Sequence, residues 1–276
     1  GPDGKVHPTI TPEQGSGRWS VKDPGLTVLG KRGGKSVERG VLLPDTDDEV
    51  LVAFDLDQID MRMVAALSGD MEYAKLFAPG ADAHQMMADI VFGATDDKDE
   101  RKRRREAVKP CNHGANYGAG VMALVRQGVQ EDVARRFLDS MRERFPKRHA
   151  WINQCRIDAR ALGFDEAAPK GDEFTIVSGP FGRPMRVERN RAYTQAPALQ
   201  GQGGTRDVIA EILLRLPLDL LNRVRAVIHD EIVLSLPRAT WEAEAKRVLE
   251  VMTMEIRGVP VTAGCSDPGD NWAGCY

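Results

Sequence analysis

Two acids in this sequence stand where runs of apolar residues end. Val50-Leu51-Val52-Ala53-Phe54 leads into Asp55, and Ala226-Val227-Ile228 leads into His229-Asp230-Glu231, with Ile232-Val233-Leu234 beyond. Runs this short fit buried strands. A carboxylate at the end of a buried strand needs a cation, a metal ion or hydrogen-bond donors to offset its desolvation. Paired carboxylates of this kind hold two magnesium ions about 4 Å apart, which activate an attacking oxygen and stabilise a leaving one. Elsewhere Arg105, Lys109, His113 and Tyr117 recur at every fourth position, which aligns them along one side of a helix. Two cations, an imidazole and a phenol in one row suit a polyanion that carries a stackable ring at its far end. Carboxylates in one place and a cationic row in another point to metal-dependent phosphoryl or nucleotidyl transfer, a chemistry governed by positioning and charge neutralisation.

The elements that carry these residues follow from local pattern. After Asp55 the period changes: Ile59, Met63, Ala66 and Leu67 recur at threes and fours, one face of a helix. Asp57 fits a cap of that helix, and Asp60 falls in its first turn, where acids suit the dipole. Asp82-Ala83-His84 comes next, then the most charged stretch, residues 96–106, with Arg101-Lys102-Arg103-Arg104-Arg105 at its centre. Pro110 cannot donate to the carbonyl of Glu106, so the helix carrying the cationic row either starts near Lys109 or kinks there. Gly114, Gly118 and Gly120 leave backbone room beside the row. Residues 131–163 form a long helical pattern through Val133, Phe137 and Met141 and, past Pro146, through Trp151 and Ile152, best read as packing.

Residues 174–177 and 185–187 flank Gly179-Pro180-Phe181-Gly182-Arg183, a hairpin signal. Gln200-Gly201-Gln202-Gly203-Gly204 precedes an apolar helix predicted to start near Asp207. The turn at His229-Asp230-Glu231 places two acids at a hairpin tip with no Gly or Asn to ease it. A helix over residues 240–256, then Gly258, lead to Gly269-Asp270-Asn271-Trp272. The first 45 residues read as loop with turns, and Gly34-Lys35-Ser36 lacks the earlier glycine of a phosphate loop, because Leu29 stands there.

At 276 residues and 42% hydrophobic composition the chain can bury a core and divide into two subdomains. A net charge of -3 excludes a protein that is basic throughout, so any nucleic-acid surface is local. Cys111, Cys155, Cys265 and Cys275 form no C-x-x-C pair and read as reduced thiols of a cytosol-like compartment. No apolar run approaches the roughly 18 residues of a membrane span, and no signal-peptide pattern is present. Gly1-Pro2 reads as the scar of a cleaved tag.

These residues also carry a resemblance. Asp55-x-x-Gln58-Ile59-Asp60-x-Arg62 resembles motif A of the family A DNA polymerases, the bacterial DNA polymerase I family. Arg105-x3-Lys109-x3-His113-Gly114-x2-Tyr117-Gly118 resembles their motif B, and His229-Asp230-Glu231 is similar to motif C. The flanks agree in order: Ser16-Gly17-Arg18, Asp82-x-His84, Gln202-Gly203-x3-Asp207 and Asn271-Trp272. The similarity covers the chain from about Asp3 to Trp272.

The resemblance implies an α+β fold: a polymerase palm, an antiparallel sheet with flanking helices, plus helical fingers. Residues 1–75 and 178–276 would form the palm and residues 76–177 the fingers; a thumb and a 3′–5′ exonuclease would lie before Asp3. Asp55 and Asp230, with the backbone carbonyl of Leu56, would bind two Mg2+ ions, for which Mn2+ could substitute, and Glu231 would support the catalytic site from behind. Arg105 and Lys109 would grip the dNTP triphosphate, with Lys109 also protonating the leaving pyrophosphate. Gln58, Asp60, His113 and Tyr117 would complete the dNTP site, Tyr117 stacking near the templating base. Arg18 and Gln202, or Gln200 in its place, would reach minor-groove acceptors of primer-template DNA, and His229 would shape the turn near the primer end.

Departures from the pattern mark the places to test. Asp60 stands where the family has Glu as a gate against the ribose 2′-OH, His113 replaces a stacking Phe or Tyr, and Pro110 is foreign to the fingers helix. Without a thumb the chain is expected to synthesise weakly and distributively unless a separate chain supplies thumb or exonuclease, as in a split polymerase. Two rivals remain: a non-catalytic DNA-binding fragment, and a single-subunit RNA polymerase-like enzyme, against which Asp60 and Glu231 weigh.

Overall fold

The computed structural model describes residues 4–12, 14–30, 33–78, 80–165, 170 and 172–276. Gly1-Pro2 lies outside them. The chain begins with a hairpin of β1 (Thr9–Thr11) and β2 (Ser20–Lys22), where only loop was expected. The pairing is short and buries one apolar residue, Val21, which is why no period shows in the sequence. A 3-10 segment, Gly33–Val41, leads to β3 (Glu49–Leu56). Helices α1 (Ile59–Ser68), α2 (Met71–Ala74), α3 (Ala83–Phe92) and α4 (Lys98–Asn116) follow. Asp70, Asp82 and Asp97 cap the last three, each accepting from main-chain N–H groups of the first turn.

Helices α5 (Val121–Arg126), α6 (Glu131–Arg144) and α7 (Pro146–Ala161) come next, the last two separated at Phe145 because Pro146 suits a first turn and not an interior. Strands β4 (Phe174–Ser178) and β5 (Pro184–Glu188) form the expected hairpin. Then come α8 (Ala192–Arg215), α9 (Leu218–Leu221), β6 (Val224–Ile228), β7 (Glu231–Pro237), α10 (Trp241–Met252), β8 (Met254–Ile256), β9 (Val259–Val261) and β10 (Ala263–Cys265).

Four expectations need correction. The helix of the cationic row starts at Lys98, capped by Asp97, and runs through Pro110; it does not start near Lys109. One unmade hydrogen bond at Pro110 is outweighed by the contacts of a buried face that includes Val108, Cys111 and Ala115. The glycines at residues 201–204 lie inside α8 and do not precede it. A Cβ on Gly204 would come within 2.6 Å of Met63 Cε and 3.0 Å of Pro180 Cγ, so this stretch is a packing notch. The helix expected over residues 240–256 stops at Met252, because Arg257 and Gly258 adopt positive φ values of 50° and 80° and close a two-residue hairpin between β8 and β9. The acids of the third motif are not both at a tip, since Glu231 is the first residue of β7.

The chain divides into two compact units. The first comprises Gly1–Ile59, Thr205–Met254 and Val261–Tyr276. Its centre is an antiparallel sheet in the order β10-β3-β7-β6. On one face Leu51, Ala53 and Val233 join Ile228, Trp272 and Cys275 in a core; on the other Val50, Val52 and Phe54 are buried as well. The continuous apolar run before Asp55 is thus a central strand covered on both sides.

The second unit comprises Asp60–Gly204 and Glu255–Pro260 and is mainly helical. Tyr73, Phe77, Val108, Phe137, Met141 and Phe145 lie in its main core. Val177, Met185, Val187 and Ala196 form another cluster around β4 and β5. Helix α1 is buried on nearly every side and not on one face, and it carries Arg62, whose guanidinium donates to the carbonyls of Phe77 and Pro260 at 2.9 and 2.5 Å.

Candidate active site

In the first unit the two acids are placed by strand pairing. The β3–β7 register sets Asp55 opposite Glu231, and on the other edge of β3 Asp55 faces Gly264 of β10. The β6–β7 pair Ile228↔Glu231 leaves only His229 and Asp230 in the turn. His229 takes a φ of 59°, the left-handed region that a two-residue turn demands and that costs a residue with a Cβ. The N–H of Leu56 then donates to the carbonyl of Asp230 at 3.2 Å, which fastens the end of β3 to the turn. Beyond it Gln58 is also left-handed, with φ 49°, and its buried Oε1 has no hydrogen-bond partner among the described residues. Backbone strain at both strand ends, next to the acids, is a pattern of functional sites.

Asp57 lies ahead of the residue adjoining α1, and its carboxylate accepts from the Thr262 hydroxyl at 2.8 Å, a tie across the sheet edge. A cleft of about 390 Å³ is lined by Asp55, Leu56, Gln58, Glu231, Cys265 and Tyr276. Glu231 is fully buried, and Arg39, 2% exposed, stands 3.7 Å from its carboxylate.

Asp55, Asp230 and the Leu56 carbonyl form an all-oxygen donor set at one strand end. Among the described residues no three His, Cys, Asp or Glu side chains converge on a common point. Two carboxylates with a carbonyl do not make a closed cage, and they fit Mg2+, which keeps several waters and is usually held by one or two carboxylates together with substrate phosphates.

The cationic row lies in the second unit. Arg105 and Lys109 are half-buried and His113 is exposed, all on α4, and Tyr117 is its C-terminal cap residue. Arg105 donates to Asp82 at 2.7 Å and to Glu106 at 3.1 Å. Asp82 also caps α3 through the N–H groups of His84 and Gln85. Burial pushes the Asp82 carboxyl up, but the hydrogen bonds from Arg105 and the Gln85 amide prevail and hold it below the usual range. Asp82 in turn raises the Arg105 guanidinium.

His84 is buried, and its Nδ1 meets Asn112 Nδ2 at 2.7 Å, with the His113 ring centroid 5.8 Å away. Burial, helped by the neighbouring His113 and Arg105 side chains, pushes the His84 imidazole down to about 4, so it is neutral near pH 7 and accepts from Asn112. The Tyr117 hydroxyl donates to Asp60.

Of the residues expected to touch DNA, Arg18 and His229 lie in the first unit and Gln200 and Gln202 on α8 in the second. Gln200 Nε2 donates to the Ser178 carbonyl at 2.9 Å. Sequence reasoning missed Arg39, Asn112 and the clamping of Arg105 by Asp82. Asn112 was within reach, since it directly precedes His113, but nothing near Arg39 in the sequence announces Glu231.

The family model for DNA polymerase family A matches residues 2–274. The chain belongs to this family. DNA polymerase I of Streptococcus pneumoniae serotype 4 is 28% identical over 98% of this chain and 31% of the relative. The DNA polymerase of Mycobacterium phage D29 is 29% identical over 82% of this chain and 35% of the relative. The thermostable DNA polymerase I of Thermus aquaticus is 29% identical over 86% of this chain and 28% of the relative. This family A chain therefore spans about a third of the length of the curated relatives it matches. Its fold is that of the POL domain of Pol1 from M. smegmatis, solved in complex with DNA primer-template and dNTP, with a TM-score of 0.82 and 21% identity over all of this chain and 49% of that one.

Proposed function

We propose that this family A chain is the palm and fingers part of a template-directed DNA polymerase, which joins dNTPs to a primer 3′-OH. Residues 1–75 and 178–276 serve as palm and residues 76–177 as fingers. The observation that carries the reading is the hydrogen bond from the Leu56 N–H to the Asp230 carbonyl, which ties the end of the strand that holds Asp55 to the turn that holds Asp230. Asp55, Asp230 and the Leu56 carbonyl hold two Mg2+ ions, or Mn2+, which when bound polarise the phosphoryl oxygens and make the 3′-OH a better nucleophile.

Lys109 grips the triphosphate and its Nζ gives a proton to the departing pyrophosphate oxygen. Arg105 exchanges Asp82 for phosphate oxygens, an exchange of one carboxylate for a more highly charged anion. Tyr117 holds Asp60 at the sugar, where Asp60 meets the 2′ position, and His113 lies along the incoming nucleotide. Gln58 contributes its partnerless Oε1 to the same dNTP site. Arg18 and Gln202 read minor-groove acceptors that every correct base pair presents, with His229 at the primer end. The proposed setting is the cytoplasm of a bacterium or a phage-infected cell.

Primer extension with Mg2+ and dNTPs, beside an Asp55→Ala control, tests the reading. Distributive extension by the wild type and none by the control is expected. Equal, negligible extension by both, even with a thumb-bearing partner added, would refute it.

A further inference from the structure

Glu231 stands opposite Asp55 in the strand register and next to Asp230 in the chain. Directly opposed residues of an antiparallel pair share a face with Cβ atoms about 5 Å apart. Three carboxylates therefore crowd one strand end, yet they do not converge as a three-donor group. What faces Glu231 comes from a segment distant in the chain. Arg39, on the 3-10 segment Gly33–Val41, stands 3.7 Å from its carboxylate. The Arg39 guanidinium is itself fixed, donating through Nη2 and Nε to the Leu29 carbonyl at 2.8 and 3.3 Å and lying 3.9 Å from the centre of the Trp272 ring. The Tyr276 ring lies 5.0 Å from the Arg39 guanidinium, and its hydroxyl receives Trp272 Nε1 at 3.3 Å.

We propose that Arg39 is a latch that holds the Glu231 carboxylate away from the cation position served by Asp55 and Asp230. The inference rests on the metal-binding reading above and adds one positioning residue to it. Arg39 also offsets the like charge that Glu231 and Asp55 bring to one face. Released, Glu231 would add a third anionic ligand. Divalent-ion affinity rises with ligand charge, while ions caged by protein oxygens exchange less readily with substrate oxygens, so binding tightens as turnover falls.

Mn2+ titration of the full chain, followed by electron paramagnetic resonance with primer extension in parallel, tests the latch. Arg39→Met is expected to bind Mn2+ roughly fivefold tighter and to extend more slowly at saturating dNTP, with KM for dNTP unchanged. Glu231→Gln added to Arg39→Met should return both values towards wild type, which a merely structural loss would not do. Because Arg39 is buried, Arg39→Met can unfold the chain; Arg39→Gln, which keeps donors for the Leu29 carbonyl but carries no charge, keeps the test decisive. Mn2+ affinity in folded Arg39→Gln equal to or weaker than wild type would overturn the latch. Asp55→Asn separates the two failures: if it binds Mn2+ like wild type the metal site itself is wrong, and if it alone loses Mn2+ only the latch is wrong.

Discussion

The carboxylate end of β3 and the cationic row of α4 are fixed by different kinds of contact. Asp55 and Asp230 are located by main-chain register and the Leu56–Asp230 tie, so a slip of one residue would turn every side chain of β3 to the other face. Arg105 and Tyr117 are located by side-chain clamps, to Asp82 and Asp60, while Asn112 holds His84 beside the row. A main-chain frame suits groups that must keep a fixed separation. Side-chain clamps suit groups that must let go of one partner to take another.

The largest effect is expected where the clamped region does chemistry. Lys109→Ala should lower kcat by roughly 10²–10⁴-fold if its Nζ is the proton donor, as single-turnover extension would report; a change confined to KM would reduce Lys109 to a binding group. Next comes rigidity. A Cβ at Gly269 would meet main-chain atoms only, Asn271 O at 2.6 Å, Gly274 C at 2.8 Å and Cys275 N at 3.0 Å. Gly269→Ala should therefore cost about 1–3 kcal/mol in denaturant unfolding. Gly204→Ala, whose nearest neighbour is the flexible end of Met63, should cost less, and equal costs would erase the contrast between main-chain and side-chain frames.

A smaller, pH-dependent effect belongs to the clamped region. The His84 imidazole sits at about 4 in the fold against 6.5 in the unfolded chain. The unfolded chain takes up the proton first, so stability is full above pH 6.5 and falls as pH drops towards 4. Denaturation of wild type and His84→Gln at pH 7.5 and 5.0 should show the wild type losing more; parallel losses would exclude His84 as the source. The smallest change is expected from Asp60→Glu, a few-fold gain in rejection of rNTPs in competition assays, with Tyr117→Phe moving selectivity the other way. Unchanged selectivity in both would show that the Tyr117–Asp60 clamp does not guard the sugar.

The strand-built half was the more legible one. An abrupt end to an apolar run is local information, and the residues that matter, Asp55 and Asp230, sit at those ends. The row on α4 was legible through its period of four, but of the two readings Pro110 offered, a start near Lys109 or a kink, the start fails because the buried face that overrides one missing hydrogen bond is tertiary. Glycine punctuation failed in α8 for the same reason: a notch for Met63 and a loop look alike in sequence. Arg39 was invisible, since its meaning depends on Glu231, far along the chain.

The order of the sheet sets a timetable for synthesis. The apolar strand β3 emerges before its neighbours β7 and β10, which are encoded beyond the whole stretch Asp60–Gly204. At bacterial translation rates of about 5–20 residues per second, β3 waits roughly 10–35 s for β7. During that interval Val50-Leu51-Val52-Ala53-Phe54 is an unpaired, uncharged strand, the kind of segment that chaperones bind and that aggregates when they do not. Yield in a cell should therefore depend on chaperone supply and translation speed more steeply than the stability of the finished chain would suggest.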